Sequence, residues 1–429
     1  MLELDHTSLH GSLTDPVLGS ISFLNEVMSR YPDAISFAPG APNLAHLDHT
    51  DLSRFTTGYL DHLTGERGMD AARARRLLHE YGPSRGLIND LVAGALRTDY
   101  GIDVPDSAVV ITVGAQEAML LSLRALFGTP ADLLAVVTPC FTGIIGAARL
   151  LDIGVVAVPE DGDGVDAEQL LAQCQAARSR GRRVRALYVA PDFANPSGTL
   201  LPLDRRLRLL DLAEQEDLVI LEDTVYGFTA LAGEHLPTLK ALDRAGRVVQ
   251  VGSFAKTCLP GARVGYAVAD QRIRVADGST RLLADALADI KTMVTVNTSA
   301  LSQAVIGGML LEHGGSLSAL GAARAPVYRR NLAALLDALD RRLSGLGGQV
   351  SWNRPTGGFF VRLRLPVPAD VKLLDVSAAD FGVLWTPMSL FHLDGSERDE
   401  IRLSCSYLEP DRIDEGAARL AEFVHSIAA

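Results

Sequence analysis

From about residue 85 to 270 the chain alternates short β-branched runs with stretches of helical periodicity. Neighbouring parallel strands need a long crossover, usually a helix, so this alternation predicts a mostly parallel sheet with helices on its faces. SAVVITVG (107–114) reads as a strand, and the AQEAMLLSLRALF that follows repeats Met119, Leu123 and Leu126 at helical spacing. DLLAVVTP (132–139) is a second strand, and GVVAVP leads into the turn-rich EDGDG. RALYVAP (185–191), a helix over 203–216, LVILED (218–223) and RVVQVGSF (247–254) continue the pattern.

Beyond about residue 275 longer amphipathic helices take over, predicted at 280–290, 302–312 and 325–343. Strands near GGFFVRLRL and EIRLSCSY and a last helix over 411–427 read as a separate α+β domain, with its boundary near residue 310. A chain of 429 residues exceeds what one compact core accommodates, in keeping with two domains.

Composition narrows the function classes. Hydrophobic residues at 48% and charged residues at 21% are ordinary for a globular protein, which argues against disorder or a fibre. A net charge of −12 argues against nucleic acid or an anionic membrane as partner. MLELDHTSLHG lacks the basic and then apolar run of a secretory signal, and Arg149 and Asp152 interrupt the apolar run 143–159, so a cytoplasmic protein is expected. Cys140, Cys174, Cys258 and Cys405 show no paired spacing, and neither a disulfide framework nor a metal site is expected. HExxH is absent, and the first strand-to-helix turn lacks GxGxxG.

Ligands of open parallel sheets bind at the carboxyl ends of the strands, and here those ends carry unusual residues. Gly114, Ala115 and Gln116 open a helix, whose free N–H groups suit a phosphate, although a plain glycine turn reads the same way. Asp223 ends the apolar strand VILED, where a buried carboxylate wants a cationic partner or serves to cap a helix. Asn195, before a proline, suits a turn that fixes an amide, and Phe141 follows another strand end. Lysine occurs only at 240, 256, 291 and 372, and Lys256 lies between Ser253 and Arg263 in GSFAKTCLPGARVGY. A hydroxyl and a guanidinium suit a phosphate dianion, while a desolvated lysine among cations loses its proton and becomes a nucleophile. Together these endings describe an aromatic aldehyde with a phosphate arm and a ring nitrogen, which is pyridoxal 5′-phosphate.

The motifs NPSG, EDTVY, GSFAK with PGARVG, and IRLS stand in the order and spacing of a known family. From about residue 34 to 420 the chain resembles the fold-type I pyridoxal-phosphate enzymes, class I/II aminotransferases of the aminoadipate and aromatic subgroup. The resemblance implies an α/β large domain (49–310) with a mostly parallel seven-stranded sheet flanked by helices. It also implies a C-terminal small α+β domain (311–429), which the N-terminal segment (1–48) joins.

By the same resemblance Lys256 bonds to the cofactor aldehyde and carries the proton, while Asp223 pairs with the ring nitrogen. Asn195 and Tyr226 hydrogen-bond the ring's phenolic oxygen, and Phe141 stacks on the ring. Gly114, Ala115, Gln116, Ser253 and Arg263 hold the phosphate, and Tyr81 reaches the phosphate of a partner subunit, which implies a homodimer with shared sites. Arg402 grips the substrate α-carboxylate as a fork, with Gly40 and Asn195 beside it.

The implied reaction moves an amino group between an L-amino acid and a 2-oxo acid by a ping-pong route. Thr138, Phe141, Ala255 and Pro387-Met388 depart from the usual pattern, which leaves substitution, cyclisation or oxidation of an amino acid as the alternative outcome. The opening segment SLTDPVLGSISFLNEVMSRYPDAISFAPGAPN resembles aminotransferase-like enzymes of antibiotic pathways, such as those making arylglycines.

Overall fold

The computed structural model describes residues 2–428 apart from 44–46, 48, 49, 232, 323 and 397. Its centre is a sheet whose strands lie in the order Val109–Thr112, Gly265–Val268, Val248–Ser253, Val219–Asp223, Arg183–Val189, Asp132–Thr138, Gly154–Asp161 and Gly164–Val165. The central pairings are parallel, and Gly265–Val268 runs antiparallel to both its neighbours. Seven strands match the expected architecture. The eighth, Gly164–Val165, folds back on Glu160 and Asp161 through the predicted EDGDG turn.

Successive side chains on a strand point to opposite faces, and the core divides accordingly. Leu134 and Val136 join Val110, Leu221 and Val251 under the helix Gly114–Leu126, which contributes Met119 and Leu123. Leu133 and Ala135 face the other way, with Leu187, Ile220 and Val248, under Leu209 and Leu212 of the helix Leu203–Gln215. Two covered faces explain why these strands read as continuous apolar runs rather than as alternating ones.

The helix predicted at 280–290 begins later, spanning Leu283–Val294. Thr280–Leu282 instead pairs with Arg272–Arg274 as an antiparallel ribbon, and the Asp285 carboxylate accepts the Leu282 N–H at 2.8 Å, so the helix starts at its own cap. The helices Ala300–Glu312, Ala325–Leu343 and Pro410–Ala428 lie where their periodicity placed them.

A second, antiparallel sheet orders Ser351–Trp352, Phe360–Arg364, Glu400–Ser404 and Thr386–Pro387. Leu339 of one covering helix and Phe423 of the other pack with Val361, Ile401, Leu403 and Trp385 in its core. Ile35–Ser36 pairs in parallel with Val383–Leu384, and Phe37 enters the same core, so this N-terminal stretch lies with the C-terminal residues. Among the described residues no helix is long and apolar enough to cross a membrane.

Helix Ala300–Glu312 packs on Leu52–Gly65 without room for side chains at the crossing. A Cβ on Gly307 would lie 2.8 Å from the Tyr59 ring, and one on Gly308 would overlap the Phe55 carbonyl, which is backbone and has no rotamer to yield. Gly308→Ala is therefore expected to destabilise the protein by about 1–3 kcal/mol, the usual cost of overpacking. An unchanged urea midpoint would show that the helices separate freely at this crossing.

Candidate active site

A cavity of about 410 Å³ opens where the central strands end, and Gly40, Ala115, Gln116, Phe141, Asn195, Asp223, Tyr226, Ser253, Lys256, Arg263 and Arg402 all line it. Gly114 stands immediately behind, in contact with Arg263. Of the residues given a role in holding cofactor or substrate, Tyr81 lies apart, 88% exposed on the surface.

Lys256 follows the strand Val248–Ser253, and its Nζ donates to the Gly40 carbonyl at 2.6 Å. Burial pulls its pKa down to about 8, the Arg402 and Arg263 charges add to that, and Asp223 opposes it. The amine thus loses its proton far more readily than an ordinary lysine, and the neutral form is the one that attacks a carbonyl or takes a proton.

Asp223 ends its strand deep in the cavity wall. Burial raises its pKa to about 6, while the Tyr188 hydroxyl, donating to Oδ2 at 2.7 Å, and the Lys256 charge hold it down. Its Oδ1 is buried without a hydrogen-bond partner. A carboxylate oxygen left in that state calls for a donor from a ligand.

The helix Gly114–Leu126 starts at the cavity without a side-chain cap, leaving its first N–H groups and positive dipole end for an anion. Its start is fixed from behind. Glu117 Oε2 accepts the Val113 N–H at 2.7 Å and the fully buried Lys291 Nζ at 2.6 Å, and Glu117 Oε1 accepts the Thr295 hydroxyl at 2.6 Å. Gly114 has φ +70° and no Cβ, which lets the Arg263 guanidinium lie against it; a Cβ would stand 2.5 Å from Nη2. Gly265 likewise lets its strand approach the helix start, since a Cβ there would lie 2.7 Å from the Ala115 nitrogen.

At the other end Arg402 is buried, and its guanidinium carbon lies 4.5 Å from the Phe360 ring centre and 4.8 Å from that of Phe391. Nη1 donates to Asn195 Oδ1 at 2.7 Å, Nη2 to the Ala38 carbonyl at 2.6 Å and to the Thr386 hydroxyl at 3.3 Å. Burial lowers even this guanidinium to about 10. The Tyr226 phenol is raised by burial and by Asp223, while Arg402 and a hydrogen bond with Asn195 oppose the rise.

Several wall residues escaped the sequence reading. Tyr188 sits in a strand otherwise apolar at that point, and its hydroxyl was the available signal. Met28, from the helix Pro16–Arg30, and Phe391, from the short turn Met388–Phe391, add apolar surface that no motif marks. Met388, one of the departures from the usual pattern, is buried outside the cavity lining.

Pyridoxal phosphate fits the groups present. The unpartnered Asp223 Oδ1 suits a protonated ring nitrogen. The helix start with Ser253 and Arg263 suits the phosphate, and the Lys256 amine suits the aldehyde.

The family model described as aminotransferase class I and II matches residues 51–420. The chain is 47% identical over 422 residues to (S)-3,5-dihydroxyphenylglycine transaminase of Amycolatopsis orientalis, a match covering 98% of this chain and 95% of that protein. It is 31% identical to aromatic-amino-acid aminotransferase 1 of Thermococcus litoralis, over 80% of this chain and 79% of the relative. The crystal structure of Pyrococcus horikoshii kynurenine aminotransferase in complex with PMP superimposes with a TM-score of 0.80 at 27% identity, covering 94% of both chains.

The lowered amine sets a pH dependence. Capture of pyridoxal phosphate by the cofactor-free protein, followed by absorbance, should rise with pH through about 8 and then level off. Arg402→Leu removes a positive charge that favours the neutral amine, so the midpoint should move upward. A midpoint in the unaltered protein near the ordinary lysine value of about 10.4 would contradict the argument from burial.

Proposed function

Because the chain belongs to the class I and II aminotransferase family and is a pyridoxal-phosphate-dependent aminotransferase, we propose that it acts on a neutral aromatic α-amino acid of arylglycine type and its 2-oxo acid. One observation carries the substrate class: among the described residues, the charged side chains lining the cavity are Asp223, Lys256, Arg263 and Arg402. In the roles assigned below all four are engaged by the cofactor and by the substrate α-carboxylate. No cation is left for a second, side-chain carboxylate, and Met28, Phe141, Val225 and Phe391 offer an apolar wall instead. The name of the Amycolatopsis relative supports an arylglycine in particular.

Bound here, pyridoxal phosphate supplies an electron sink that acidifies the substrate Cα–H and an aldehyde carbon that carries the amino group. Asp223, through its free Oδ1, would keep a proton on the ring nitrogen. The helix start at Ala115 and Gln116, with Ser253 and Arg263, would hold the phosphate, and Phe141 would lie against the ring. Tyr226 and Asn195 donate to the phenolic oxygen. Arg402, already fixed by Asn195 and Ala38, holds the substrate carboxylate so that Cα–H faces Lys256. Lys256 Nζ is placed to take that proton and would return it on the cofactor side, and a 2-oxo acid as amino acceptor would complete a ping-pong cycle. Transamination is favoured over the substitution, cyclisation and oxidation alternatives by the relatives, which are named as aminotransferases.

The proposal extends to a homodimer. Tyr81 at 88%, Met293 at 83% and Leu301 at 57% exposure present an unusually apolar surface. The stretches that carry it are joined, since the Ser84 and Thr292 hydroxyls lie 2.6 Å apart and Asn297 sits against Gly82. A second copy covering this surface would bring Tyr81 toward its neighbour's phosphate site. Four buried, unpaired cysteines support a reducing, cytoplasmic setting.

With the holoenzyme, (S)-3,5-dihydroxyphenylglycine and L-phenylglycine are expected to discharge the cofactor absorbance with kcat/KM at least about tenfold above L-2-aminoadipate, given what an unpaired buried carboxylate costs. The opposite order would sink the substrate assignment. For the interface, Met293→Glu should shift the sedimentation profile toward monomer and leave the far-ultraviolet circular dichroism unchanged. A profile the same as that of the unaltered chain would reject this surface as the contact.

A further inference from the structure

A second cavity of about 380 Å³ lies beside the first, and Val225 and Ser253 line both. Its own walls include Asp99, Asp192, Gln250, Tyr100, Tyr266 and Phe228. None of these six has a part in the reaction described above.

The chemistry of the walls is one-sided. Two carboxylates face the space, and the ionisable base among the described lining residues is His235, which is exposed. Asp99 is held in place, accepting the Ser316 hydroxyl at 2.9 Å and the Ser318 N–H at 3.0 Å. Asp192 is ion-paired to the fully buried Arg206, which offsets its charge and leaves Asp99 as the wall's carboxylate without an ion pair among the described residues. The Tyr100 phenol is raised by burial first, and both Asp99 and Asp192 push it further, so the negative potential reaches the ring wall.

A second observation is independent of those acids. Gln250 is 1% exposed, lines the cavity, and has a buried Oε1 without a hydrogen-bond partner. A buried amide acceptor in that state is costly unless a donor reaches it. Carboxylates, an unmet acceptor and aromatic rings together select a ligand that is positively charged, donates an N–H and carries apolar surface. An anion would meet Asp99 and Asp192 at close range, and a neutral alcohol would leave the charge unanswered.

We propose that this cavity is a second ligand site, for a small organic ammonium ion, with its N–H on Gln250 Oε1 and its charge facing Asp99. The shared walls give it a route to the chemistry. Val225 precedes Tyr226, and Ser253 and Thr257 bracket the stretch holding Lys256, so occupancy couples to both loops.

The probe is N,N-dimethylbenzylamine, which is protonated near neutrality, keeps one N–H, and cannot condense with the cofactor aldehyde as a primary amine would. Titration calorimetry on the holoenzyme should show saturable one-site binding, with benzyl alcohol binding at least about tenfold more weakly. Asp99→Asn, whose amide oxygen can still accept the Ser318 N–H while its N–H turns to the Ser316 hydroxyl oxygen, and Gln250→Leu should each weaken the probe about tenfold or more, and Arg402→Leu should leave it unchanged. Should Gln250→Leu fail to fold, Asp99→Asn decides alone. No saturable binding, equal binding of the alcohol, or loss of binding in Arg402→Leu but not in Asp99→Asn would overturn the site. Steady-state KM or kcat should change at saturating probe, and unaltered constants would overturn the coupling.

Discussion

A single buried cation joins the parts of this protein that make the site. Arg402 comes from the small sheet, Ala38 from the N-terminal stretch and Asn195 from the turn after a central strand, and the guanidinium bonds to the other two at once. Burying a charge costs several kcal/mol unless acceptors surround it. That cost makes the meeting point specific: Ala38, Asn195 and Thr386 supply oxygens, and Phe360 and Phe391 supply ring faces. Displacing any one of these segments would leave a charge unmet, so packing far from the cavity is tied to the geometry inside it.

The charges within the cavity follow from the same constraint. Arg263, Arg402 and Lys256 face the single carboxylate Asp223, so the groups that complete the site must bring negative charge. A phosphate and an α-carboxylate do so at opposite ends. Burial first, and then the two arginines, lower the Lys256 pKa, and burial raises that of Asp223, so each group is shifted toward a neutral form. The arrangement keeps a base available without exposing it to water.

The strand ends were legible in the sequence because polar residues closing apolar runs are rare enough to stand out, as with Asp223 after VILE and Lys256 after VQVGSFA. The walls were not. Met28 and Phe391 belong to short apolar stretches in which sequence cannot say which residue faces a cavity and which a core. The strand Gly265–Val268 carries no signal of its own, since its four residues follow a glycine-rich turn and it pairs antiparallel, outside the repeating crossover pattern. The late start of the helix at Leu283 turned on Asp285, whose capping role shows only once the preceding ribbon is paired. Tyr81 was marked by family resemblance alone, and nothing in its local pattern distinguishes it from any exposed tyrosine.

The two ends of the site are anchored by buried acids, and by different physics. At the phosphate end Glu117 is ion-paired to Lys291 and holds the helix start through the Val113 N–H. At the carboxylate end Glu160 accepts the hydroxyls of Ser197 and Thr199 at 3.2 and 3.0 Å, holding the turn that carries Asn195. Arg362, the register partner of Arg402, stands 3.8 Å away, and burial still raises Glu160 to about 7. The Asn353 amide grips the same turn from the side of the antiparallel sheet, donating to the Ser197 carbonyl at 2.6 Å. A turn held from both sides transmits any shift between the two sheets to Asn195, and from there to Arg402 and Tyr226. The phosphate end has no such coupling, because Glu117, Lys291 and the helix start all belong to the large sheet and its helices. Relative motion of the two sheets would therefore change the hold on the substrate carboxylate and leave the phosphate anchor in place.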